Sequence, residues 1–162
     1  MYLKQADVFW GTSRDFNKDI VKITTKMTYA SGDVLFREGQ AADTFYILLK
    51  GRVKLTIGTA GNVVYIINHA GEAFGWSSLI DRETYSAAAK CTAQTTLLLI
   101  DRADLGPILE KFPLDGQIFF KKLAGTLGNR LLESYRSMSL KTESERLTSF
   151  GTGQVMAAVV QE

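Results

Sequence analysis

The spacing of hydrophobic positions changes period twice along this chain. Phe16, Ile20 and Ile23 recur at intervals of four and three, one face of a helix, and Thr12-Ser13 ahead of them offer hydroxyls that cap a helix start. This predicts a helix from Ser13 to about Thr25. From Met27 to Asp101 the pattern becomes short β-rich runs, V-L-F, T-F-Y-I-L-L, V-K-L-T-I, V-V-Y-I-I and T-L-L-L-I, punctuated by Gly-Asp, Glu-Gly, Lys-Gly, Ala-Gly and Gly-Glu. Strands at such regular spacing, with glycine wherever a turn needs positive φ, predict a sandwich or barrel. After Asp101 the helical period returns: A-D-L-G-P-I-L-E-K-F reads as a short helix ended by Pro113. Phe120, Leu123, Leu127, Leu131, Tyr135 and Met138 then form an apolar stripe on a long helix, roughly Leu114 to Leu140, whose other face carries Lys121, Lys122, Arg130, Glu133 and Arg136.

That stripe has two readings. It packs onto the barrel, or it is a self-pairing seam, because so long a helix extends past a small barrel and leaves its distal apolar residues uncovered. On the second reading Phe120, Leu123, Leu127, Leu131 and Met138 form a homodimer interface.

Composition narrows the picture only a little. A chain of 162 residues with 46% hydrophobic content makes one domain with a real core. We place that domain at residues 1–141, long helix included, with 142–162 as a tail after the flexible Gly-Thr-Gly. The formal charge of +2, from 19 basic and 17 acidic residues, gives no strong field for nucleic acid. One cysteine, Cys91, excludes an internal disulfide, and no run of about 18 apolar residues spans a membrane. The first residues, M-Y-L-K-Q-A-D, lack a secretory apolar run, so a cytoplasmic location is expected. Cys91, in an alternating strand, reads as a buried small hydrophobe, and the lone His69 as a turn residue rather than a metal ligand. No cofactor or metal is expected.

The stretch G-D-V-L-F-R-E-G-Q-A-A-D-T-F-Y-I-L-L-K-G-R-V, Gly32 to Val53, resembles the first half of the cyclic nucleotide-binding β-roll of catabolite activator-type (Crp/Fnr) regulators. Gly32, Gly39 and Gly51 fall at its three turns, Glu38-Gly39 opens a loop, and Asp43 precedes Tyr46-Ile47. The resemblance continues through Gly71, Phe74-Gly75 and Ile100-Asp101-Arg102 into the long helix, roughly residues 8 to 148. It implies an antiparallel β-roll, a jelly-roll-like barrel, with an N-terminal helix, a short helix in a phosphate-binding cassette, and a long C-terminal dimerisation helix.

In this family the cassette resembles F-G-E-x-x-L followed by R-A-A. Amides at the short helix start and the arginine bind the cyclic phosphate, and the glutamate accepts the ribose 2′-hydroxyl. Here A-F-G-W-S-S-L-I-D-R-E-T-Y-S-A-A puts Trp76 at the glutamate position and Tyr85 at the arginine position. Each charge-assisted contact is worth about 1.5–3 kcal/mol, so losing both weakens an ordinary cyclic nucleotide by roughly two to four orders of magnitude. The resemblance implies a ligand-binding set of Phe74, Gly75, Trp76, Ser77, Ser78, Tyr85 and Ser86, with Arg82 as a replacement cation and Ser134 and Tyr135 presenting hydroxyls to a base. Trp76 either stacks on an aromatic ligand or fills the pocket itself.

Four functions compete. A sensor module binding a small-molecule effector fits the cassette. A cupin-type metalloenzyme needs converging His and Glu ligands that one histidine does not supply, so no enzyme is expected. A DNA-binding regulator would place a helix-turn-helix after the long helix; S-E-R-L-T-S-F resembles its start, but about a dozen residues do not make the domain, so no direct operator recognition is expected of this chain. A structural dimer module with a closed pocket is the fourth.

Overall fold

The computed structural model describes residues 6–80 and 82–139; Leu140 and the tail 142–162 lie outside the described residues. By compactness the chain divides into two units, residues 1–126 and 127–162.

Helix α1 (Arg14–Ile23) starts where the hydroxyl pattern placed it: the Ser13 Oγ accepts from the Phe16 N–H at 3.2 Å. It ends two residues earlier than its periodicity suggests. Thr24 and Thr25 are β-branched and join strand β1 (Thr24–Tyr29), which pairs antiparallel with β8 (Thr95–Asp101) from Thr24↔Ile100 to Tyr29↔Thr95. The intervening strands are β2 (Val34–Phe36), β3 (Thr44–Lys50), β4 (Val53–Ile57), β5 (Asn62–Ile67), β6 (Ala73–Phe74) and β7 (Ala88–Cys91). They make two four-stranded sheets, β1-β8-β3-β6 and β2-β7-β4-β5, the expected antiparallel β-roll flanked by helices.

Between the sheets lie Phe36, Tyr46, Leu48, Val53, Ile67, Phe74, Tyr85, Cys91 and Leu97. Burial pushes the Cys91 thiol pKa up, so it behaves as a small hydrophobe. Strand β3 reads as an unbroken apolar run because both its faces are covered: Phe45 and Ile47 are as buried as Tyr46 and Leu48, and Phe45 meets the Phe119 ring edge-on at 6.0 Å. Phe119 stacks on Phe9 at 5.3 Å, and Phe16 contacts Phe9 and Phe112. At Gly51 (φ 111°) a Cβ would come within 2.6 Å of the Gln94 carbonyl oxygen and Thr95 Cα, so this turn admits glycine only.

Helix α2 (Arg102–Lys111) is capped by Asp101, whose carboxylate accepts from the Ala103 N–H at 3.1 Å. Pro113 does more than stop it: it is the first residue of the long helix α3 (Pro113–Ser139), where its missing N–H costs nothing and its fixed φ suits the first turn. Asp115, in the first turn, accepts from both the N–H and the Oγ of Ser13 at 2.6 and 2.7 Å, tying the start of α3 to the start of α1.

Candidate functional site

The cassette leaves the sheet at Phe74, a fully buried residue whose ring stacks on Tyr46 at 5.1 Å. Gly75 turns the chain with φ 74°; a Cβ there would lie 2.9 Å from the Tyr46 ring and 3.0 Å from the Thr44 oxygen. The short helix implied by the resemblance is a single 3-10 turn, Trp76–Leu79, held by the N–H and Oγ of Ser78 donating to the Gly75 carbonyl at 3.1 and 2.8 Å. Ser77 and Ser78 are buried. Trp76 is half-buried, and no ring contact involves its indole among the described residues.

Tyr85 is different. It is 4% exposed, its ring stacks on Phe36 at 3.8 Å with 16° between planes, and its hydroxyl donates to the Thr44 carbonyl at 2.7 Å while accepting from the Thr44 N–H at 3.0 Å. The backbone around it is laced to the loop after β2. The Gly39 N–H donates to the Tyr85 carbonyl, the Tyr85 N–H to the Gln40 carbonyl, and the Ala42 N–H to the Glu83 carbonyl, at 2.8–2.9 Å. The sequence marks Tyr85 by position, but nothing in it marks Thr44, because any residue supplies a backbone N–H and C=O.

Burial pushes the Tyr85 phenol pKa up, with the Asp43 charge adding to it, and burial pushes Tyr46 up as well, so both phenols are neutral at neutral pH. Arg82 is exposed; its backbone N–H donates to the Ile80 carbonyl and its own carbonyl accepts from Arg102 Nη1 at 3.4 Å. Ser86 is half-buried. Further along, Ser134 and Tyr135 are exposed on α3, and the Ser134 hydroxyl donates to the Arg130 carbonyl at 2.9 Å. Of the stripe on α3, Leu123 is buried, Leu127 half-buried, and Phe120 and Leu131 are exposed; the Met138 side chain lies outside the described residues. His69 sits in an exposed turn, where Glu72 accepts from the Asn68 and His69 N–H groups. No group of three or more His, Cys, Asp or Glu among the described residues is placed to hold a metal, and no described helix is long and apolar enough to cross a membrane.

A two-sheet β-roll with a loop of this build between β6 and β7 defines a cyclic nucleotide-binding-like regulatory module. The sequence profile of the cyclic nucleotide-binding domain matches residues 26–112, more than half of the chain, and the chain belongs to that family. It is 28% identical over 132 residues to the cyclic nucleotide-gated channel beta-1 of Bos taurus, covering 78% of this chain and 9% of that protein. It is 25% identical over 146 residues to the cyclic AMP receptor protein of Thermus thermophilus, covering 88% of this chain and 65% of that one. A solved cyclic nucleotide-binding domain from Methylobacillus flagellatus shares the fold with a TM-score of 0.78 at 22% identity, covering 90% of this chain and 85% of that one. The chain thus spans about a tenth of the beta-1 channels it matches and just under two thirds of the receptor protein.

Proposed function

We propose that this chain is a non-enzymatic sensor module of Crp/Fnr type whose pocket takes a small, flat effector and discriminates against cAMP and cGMP. The observation that carries this reading is the Tyr85 hydroxyl, committed to both backbone groups of Thr44 where a family member offers an arginine to the phosphate. An effector without a phosphate loses nothing by that exchange. Trp76, half-buried and unstacked, is the natural platform for an aromatic ring, with the amides of residues 75–78 and the serines beside it as polar contacts. Tyr85 then forms a wall of the pocket, and Arg82 stays in solvent.

A second reading has its own support. The Phe36–Tyr85 and Tyr46–Phe74 stacks place four aromatic rings against one another in the core between the sheets, as a closed structural module requires. On both readings α3 pairs with a second copy through Phe120, Leu127, Leu131 and Tyr135, a helix of 27 residues being about 40 Å long. The residues of this chain carry no operator recognition, and the module works in the cytoplasm.

The sequence holds two tryptophans, so a Trp10→Phe variant isolates the Trp76 emission. Titrating that variant with adenosine and with cAMP separates the readings. Saturable quenching by adenosine stronger than by cAMP supports the sensor; no change with either, nor with other flat heteroaromatics, supports the closed module.

A further inference from the structure

We propose that the outer face of the β2-β7-β4-β5 sheet is a docking surface for an acidic segment of a protein partner, with apolar residues on either side of its carboxylates. Val34 pairs with Lys90, Lys90 with Lys54, and Lys54 with Ile66, so these four side chains share one row across the whole sheet, roughly 14 Å long at the usual strand spacing. Two lysines directly opposite each other on neighbouring strands repel, an arrangement that costs the sheet stability. Neither has an ion-pair partner among the described residues. The ends of the row are aliphatic and open to solvent: Val34 is 40% exposed and Ile66 41%.

Strand β5 extends the apolar end. It is an edge strand, paired only with β4, and from Asn62 to Ile67 it carries no charge and no proline to guard the edge. Val63 and Val64 beside the register shift are 54% and 47% exposed. A row of aliphatic, lysine, lysine, aliphatic thus faces solvent with an unmet demand for negative charge at its centre.

Charge complementarity selects the occupant. A second copy docked face to face by a two-fold axis would set one lysine pair against another. Nucleic acid would satisfy the lysines but strand the aliphatic ends against phosphates. A segment with carboxylates between apolar side chains satisfies both parts, neutralising the repulsion as it binds.

The test uses the full 162-residue chain and two synthetic probes, a peptide alternating Glu with Val and one alternating Lys with Val, together with phosphatidylserine vesicles. We expect saturable binding of the glutamate peptide only. Lys90→Glu places a carboxylate opposite Lys54; it should raise the thermal midpoint by about 2–4 °C and weaken the glutamate peptide by about tenfold or more. Lys54→Gln with Lys90→Gln should do the same to binding without introducing a new charge. Equal binding of the two peptides, peptide binding unchanged in both variants, or binding to the vesicles alone would overturn the proposal.

Discussion

The Tyr85 hydroxyl closes a two-way hydrogen bond with Thr44, donating to its carbonyl at 2.7 Å and accepting from its N–H at 3.0 Å. One side chain thereby fastens the cassette to the first residue of β3, the strand whose Tyr46 stacks on Phe74 of β6. Tyr85→Phe keeps the ring on Phe36 and removes both bonds, leaving two part-buried backbone groups unmet. Urea unfolding should show a loss of about 1–3 kcal/mol. An unchanged midpoint would mean the contact is not made in solution.

Gly75 is fixed by two independent constraints, a left-handed backbone and the approach of Tyr46 and Thr44. Gly75→Ala should destabilise the fold by about 1–3 kcal/mol, whereas Gly58→Ala, where an added Cβ meets nothing within 4 Å, carries only the cost of positive φ. Comparing the two variants by thermal denaturation separates crowding from backbone strain.

The candidate site was half legible in the sequence, and the division has a physical cause. Positions set by periodicity or by turns were readable: Ser13 as a cap, Gly32, Gly39 and Gly51 as turns, the apolar run of β3. The strands β1, β6 and β7 were blurred, since Thr24-Thr25 suits a helix end as well as a strand and the two-residue β6 has no period to detect. Trp76 and Tyr85 were visible at the two anchor positions that the family resemblance implies. Where the Tyr85 hydroxyl goes was not, because its partner is backbone 41 residues away in sequence. The opposition of Lys54 and Lys90 depends likewise on a register that only the pairing of β4 with β7 reveals.

Asp19 gives the fold a definite response to acid. Hydrogen bonds from Lys111, reaching over from α2, and from Lys22, both at 2.7 Å, hold its carboxyl at about 2 rather than the ordinary 3.8. A depressed carboxyl contributes stability that is fully present above the unfolded value and lost as pH falls through the folded one. Stability should therefore decline between about pH 4 and pH 2 through this group. Asp19→Asn should flatten that part of the pH–stability curve while leaving the neutral-pH fold intact by circular dichroism.

The seam on α3 makes a prediction about mass. At micromolar concentration the wild type should sediment at twice 17.9 kDa, and Leu131→Glu, at a residue 49% exposed on the chain alone, should shift it to the monomer without loss of helicity. A wild type that stays at the single-chain mass removes the seam.

The central claim is that Trp76 and Tyr85 have taken the places of the ribose and phosphate anchors on an otherwise intact scaffold. Calorimetry with cAMP on the wild type and on the Trp76→Glu, Tyr85→Arg double variant tests it most directly. The account predicts binding weaker by roughly two to four orders of magnitude in the wild type than in the double variant, with circular dichroism establishing that the variant folds. Submicromolar binding of cAMP by the wild type would contradict it.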